Sequence, residues 1–145
     1  MRYCTLPDLL QAIPVQTLIQ LSNDEVAADA PDMDVVDAAV VQAEELVDAH
    51  LRGRYTLPLP SVPTVIKSVA VALVRHWLYA RRPEGNDLPD AVRASYRDAI
   101  KTLEAVRDAK LTLGDQVTTA QTPEPGAVRV RANARMFGAS TLARF

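Results

Sequence analysis

Val35-Val36-Asp37-Ala38-Ala39-Val40-Val41-Gln42-Ala43-Glu44-Glu45-Leu46-Val47-Asp48-Ala49-His50-Leu51-Arg52-Gly53-Arg54-Tyr55-Thr56-Leu57-Pro58-Leu59-Pro60 is the stretch on which the fold turns. Val36, Val40, Ala43, Val47 and Leu51 recur at three- and four-residue steps, which is one apolar stripe of a helix running from about 34 to 52. Glu44, Glu45, Asp48 and Arg52 fall largely off that stripe; Glu44 and Glu45 read as solvent-facing charge, and Asp48 and Arg52, four apart, are able to pair. Gly53 is expected to take the left-handed position past the helix end. Pro58, Pro60 and Pro63 then push their predecessors toward extended backbone. Arg52, Gly53, Arg54, Tyr55, Leu57 and Pro58 thus form a structural or inter-subunit corner, basic and aromatic and expected to be exposed.

Upstream, Thr5 can cap a helix with Pro7 in its first turn and Asp8 completing a capping-box variant. That helix covers about 9–13 and stops at Pro14. A second covers 15–21, with Val15, Leu18 and Ile19 on one side. Residues 22–34 are an acidic loop around Pro31, without the glycine and alternating carboxylates of a calcium loop. It reads as a solvated loop in which Asp32 or Asp34 caps the next helix.

Downstream, a fourth helix from Pro63 or Thr64 to Arg81 carries Val65, Ile66, Val69, Ala70, Leu73, Trp77 and Ala80 on a wide stripe, with Val71 and Val74 also apolar. An apolar surface this broad belongs at the centre of a bundle. Arg81 and Arg82 end it, with the inter-subunit or structural reading given to the first corner. Residues 84–87 form a turn. A fifth helix runs from 88 to about 110, with Val92, Tyr96, Ala99, Ile100, Leu103 and Val106 inward and Gly114 as its stop. The fold expected is all-α: a bundle of about five helices over residues 1–114, followed by an extended arm over 115–145.

Within the arm, Ala127-Val128-Arg129-Val130-Arg131 alternates like a short strand. Val128, Val130, Arg131, Arg135, Met136, Phe137, Leu142 and Phe145 have no core of their own, so they are expected to bind a partner. Strand addition to a sheet edge, with Phe137 in a pocket, is one ordinary mode.

Composition narrows the function. Residues 1–60 hold ten acids against three bases, and residues 61–145 hold eight against thirteen, a polarity suited to head-to-tail stacking. Cys4 is the one cysteine, which excludes a disulfide within the chain and any multi-cysteine metal site. His50 and His76 read as satisfied helix-end and stripe-margin residues rather than ligands. No phosphate loop, serine elbow or paired zinc-histidine motif occurs. No enzyme, cofactor, metal, signal peptide or membrane span is expected. A basic face of Arg75, Arg81, Arg82, Arg93, Arg97, Lys101 and Arg107 leaves a small DNA-binding helical module as the alternative, although interleaved acids and a pI near 5.6 weigh against it.

The run Val36-Asp37-Ala38-Ala39-Val40, followed by Ala43-Glu44-Glu45-Leu46-Val47-Asp48-Ala49-His50-Leu51-Arg52-Gly53-Arg54-Tyr55-Thr56-Leu57-Pro58-Leu59, resembles the central signature of a Mu-like bacteriophage virion protein family. Leu78-Tyr79-Ala80-Arg81-Arg82-Pro83 resembles the end of that family's apolar helix, and Tyr3 to Leu9 and Arg135 to Leu142 resemble its two ends. His50 stands where the family commonly has Tyr, and the acidic loop lacks an Asp/Gly-rich stretch. The family is related to head–tail adaptors, so the resemblance implies a homo-oligomeric, dodecameric ring in the virion neck. That ring would lie between the portal and a stopper or tail-terminator protein, with genomic DNA passing non-specifically through its lumen. It would be made in the host cytoplasm.

Overall fold

The computed structural model describes residues 1–25, 27–81 and 88–114. Five helices follow one another: α1 Leu6–Ala12, α2 Val15–Ser22, α3 Met33–Leu51, α4 Thr64–Ala80 and α5 Asp90–Arg107. Among the described residues there is no strand, so the all-α class holds. The arm, including every partner-binding residue from Val128 to Phe145, lies outside the described residues, as do Arg82 and the turn at 84–87.

The stripe read from α3 is its buried face: Val36, Val40, Ala43, Val47 and Leu51 are all at or below 1% exposure. Each fully buried Val or Leu stabilises the fold by roughly 1.5–3 kcal/mol. Asp32 caps α3, its carboxylate accepting from the Asp34 N–H at 3.0 Å and placing negative charge at the positive end of the helix dipole. The acidic loop is stitched locally. Ser22 Oγ accepts from the Asp32 N–H at 3.0 Å, and the Asn23 amide donates to Ile19 and Ala30 carbonyls at 3.1 and 2.7 Å.

Helix α4 packs against each of the other four, and α3, α4 and α5 pack mutually. Ile66, Val69, Ala70, Leu73, Val74 and Leu78 supply its share of the core. The central placement expected from its breadth is therefore found. Thr5 also behaves as read: its N–H and hydroxyl donate to the Asp8 carboxylate at 2.9 and 2.6 Å. Asp8 in turn meets Lys67 Nζ on α4 at 3.2 Å.

Several expectations are corrected. Val15 and Val65 stand outward rather than on the buried stripes, at 50% and 44% exposure; each is at the first turn of its helix, before the stripe enters the core. Gly53 is not in the left-handed region, and a Cβ there would meet nothing within 4 Å. The end of α3 instead closes with the Arg54 and Tyr55 N–H groups both donating to the Leu51 carbonyl at 2.9 Å. Gly114 does not stop α5. That helix ends at Arg107, with Ala109 in the left-handed conformation (φ 63°). The Ala109 N–H bonds the Val106 carbonyl at 3.3 Å and the Lys110 N–H bonds the Ala105 carbonyl at 2.8 Å, the paired pattern of a Schellman cap.

Candidate assembly site

The corner read as exposed is only partly so. Tyr55 is 2% exposed and Leu59 is buried, while Arg54 is half-buried and Leu57 packs on the core margin. Arg52, Gly53 and Pro58 remain exposed, and the Leu57–Pro58 peptide is cis. The turn after α3, closed on the Leu51 carbonyl, lies alongside the last turn of α5. There Arg54 Nη1 donates to the Val106 carbonyl and, at 3.2 Å, to the Leu111 carbonyl. A guanidinium suits this position because the last carbonyls of a helix have no intrahelical donor and carry the negative dipole end. The Tyr55 hydroxyl accepts from the Leu113 N–H at 3.1 Å, and the Arg54 guanidinium lies 5.5 Å from the Tyr55 ring centroid. Residues 106–113 are thus clamped from a point more than fifty residues earlier.

Arg81 has a parallel duty. Its Nη1 donates to the Leu21 and Ser22 carbonyls at 3.2 and 3.1 Å, and its Nη2 meets Asp24 at 2.8 Å. It therefore caps α2 from the end of α4. Arg54 and Arg81 thus both make hydrogen bonds within the fold. Lys101 pairs with Asp98 at 3.8 Å and Arg107 with Asp108 at 2.9 Å, so the basic face proposed for DNA is partly spent within the fold.

One cluster escaped the sequence reading. Glu44, expected to face solvent, and Asp48, expected off the buried stripe beside Arg52, are 4% and 8% exposed. Glu44 Oε1 accepts from the backbone N–H groups of Arg2 and Tyr3, the latter at 3.2 Å, and its other oxygen meets Arg2 Nε at 3.4 Å. Asp48 accepts from the Tyr3 hydroxyl and meets Arg2 Nη1 at 3.0 Å, so its partner is not Arg52. Burial and the Asp48 bond push the Tyr3 phenol well above its ordinary range. Cys4, buried beside this strap, has its pKa pushed up to about 11 by burial and by the charges of Glu44 and Asp8, which leaves an unreactive thiol. The available signal was Arg2-Tyr3 opposite two carboxylates one helical turn apart, but it spans over forty residues.

His50 Nδ1 bonds the Leu46 carbonyl at 2.8 Å, as a satisfied helix-end histidine does. His76 stacks on Tyr96 of α5 at 3.9 Å between ring centroids and meets Trp77 edge-on at 6.0 Å. Burial lowers its pKa. Among the described residues, no three His, Cys, Asp or Glu side chains gather so as to hold a metal ion, and no helix is long and apolar enough to cross a membrane.

Comparison with known proteins matches these features to phage proteins. A family profile described as "Bacteriophage Mu, Gp36" covers residues 3–132. Gene product J of Escherichia phage Mu is 32% identical over 124 residues, spanning 86% of this chain and 84% of that protein. The Mu-like prophage FluMu protein gp36 of Haemophilus influenzae is 35% identical over 79 residues, 54% of this chain and 52% of its own length.

Proposed function

This chain belongs to the bacteriophage Mu Gp36 family, a Mu-like phage virion protein family, and from that premise we propose that it is a head–tail adaptor. In this reading copies of the five-helix body form a ring between the portal and the tail-side neck proteins. Genomic DNA passes through the lumen, and the arm beyond residue 114 grips the portal or an adjacent subunit. The protein acts by assembly rather than catalysis.

One observation carries the reading: the Arg54–Tyr55 clamp on residues 106–113. A bundle with no need to aim its last segment could end α5 in water. Here two side chains from another part of the chain hold the α5 terminus, the end from which the sequence runs on to the apolar residues Val128, Met136, Phe137, Leu142 and Phe145. A gripping arm gains affinity when its root is held in place, because less freedom is lost on docking.

The test uses the portal protein of the same phage. The full chain should form rings on the portal, visible by electron microscopy. A chain lacking residues 127–145 should keep its helical circular dichroism and fail to attach. Attachment at full strength by the shortened chain would overturn the proposal.

A further inference from the structure

The charges of α3 and α4 are segregated by sign, and the fold neutralises only part of each set. Between Met33 and Leu51, α3 has five acids and no Lys or Arg. Glu44 and Asp48 are taken up by Arg2 and Tyr3, which leaves Asp34, Asp37 and Glu45 outward. They flank Val41, which is 51% exposed. Helix α4 has no acid at all between Thr64 and Ala80, and its Lys67 is taken up by Asp8.

What remains on the less buried side of α4 is a stripe at helical spacing: Val65 and Ser68, exposed, then Ala72, Arg75 and Tyr79, half-buried at the margin of the core. It is apolar or small throughout except for one cation. Arg75 lies 5.9 Å from the Tyr79 ring, and its Nε is shielded from water with no acceptor. The exposed Arg97 of α5 follows Tyr96, which stacks on His76 beside Arg75. None of Asp34, Asp37, Glu45, Arg75 and Arg97 enters an ion pair among the described residues.

We infer that the acidic outer face of α3, centred on Val41, packs against the α4 stripe and Arg97 of a second copy of this chain. The inference rests on the adaptor reading and names the surfaces by which its ring closes. Two different patches on one subunit make a heterologous contact, the kind that propagates head to tail and closes into a ring rather than a two-fold dimer. A valine among carboxylates fits a surface of small and aromatic residues around arginines. The carboxylates supply the acceptors that Arg75 lacks, and sign matching sets direction and excludes α3-to-α3 pairing.

Two charge-reversed proteins test it on portal-templated assembly. The first carries Arg75→Glu and Arg97→Glu; the second carries Asp37→Lys and Glu45→Lys. Each is first checked for wild-type helicity and cooperative thermal unfolding, and if Arg75→Glu impairs folding, Arg75→Gln with Arg97→Glu replaces it. Alone, each should lose ring formation by about tenfold or more, since both of its faces then carry one sign. Mixed in equal amounts they should restore rings in which the two alternate, and rings of the wild type should weaken as salt is raised. If either protein alone closes rings like the wild type, or the mixture fails to restore them, the interface is overturned while the adaptor reading stands. A wild-type chain that forms no ring on the portal instead sinks the adaptor reading and this inference with it.

Discussion

Replacing Arg54 with Ala should loosen the end of α5, and the size of the effect can be worked from the contacts. One guanidinium nitrogen serves two carbonyls, those of Val106 and Leu111. A hydrogen bond from a charged group contributes about 1.5–3 kcal/mol when well shielded. The Val106 bond is partly buried and the Leu111 bond is exposed, so the first is taken near the bottom of that range and the second well below it. Loss of a cation from a helix C-terminus adds about 0.3–1 kcal/mol. The expected total is about 2 kcal/mol, or roughly 6–10 °C in Tm for a body of this size. Arg54→Lys should recover less than half, because an ammonium on a shorter reach cannot bridge both carbonyls. Urea unfolding gives the free energy, and amide exchange gives the location: Lys110 to Leu113 should exchange faster while the core amides of α4 slow or quicken only with global stability. A loss below about 0.5 kcal/mol with unchanged exchange at 110–113 would refute the clamp.

Three further outcomes are expected at other positions. Ala109→Gly should stabilise the body by about 1 kcal/mol in chemical unfolding, because Ala109 sits at φ 63° where a Cβ is penalised and glycine is not. Glu44→Ala should cost about 2–4 kcal/mol, since it strips the acceptor from the Arg2 and Tyr3 N–H groups. It should also make Cys4 react with thiol reagents that leave the native protein untouched. Burial holds the His76 pKa below its ordinary 6.5, so the folded chain binds fewer protons there than the unfolded chain. Stability should therefore fall as pH drops from 6.5 through the folded value, and His76→Leu should flatten that slope in urea titrations.

What could be read without coordinates was whatever repeats along a helix or acts within one turn of it. The α3 stripe, the central place of α4, the Asp32 cap and the Thr5–Asp8 start are all of that kind. Contacts closed across distance were not legible. Glu44 reads as surface charge, and Asp48 as a partner of Arg52, because their true partners lie at residues 2 and 3. Arg54 and Arg81 looked available for partners because the carbonyls they cap belong to other helices. Gly53 was misjudged for a different reason: glycine is the usual residue beyond a helix end, but here two N–H groups converging on the Leu51 carbonyl finish the helix without positive φ. Ala109, which does adopt it, carries no mark in the sequence.

Because α4 touches each of the other helices, the order of synthesis matters. A nascent chain that has released only its first sixty residues has made α1, α2 and α3 but not the element they pack on. Val36, Val40, Val47 and Leu51 then stay wet, and so do Leu9 and Leu18. Burial begins when α4 leaves the ribosome and is completed only after α5 and the residues that Arg54 and Tyr55 hold. Such a body folds late and as a unit, so a chain cut short anywhere before residue 107 should be found in aggregates or degraded rather than as a smaller folded fragment.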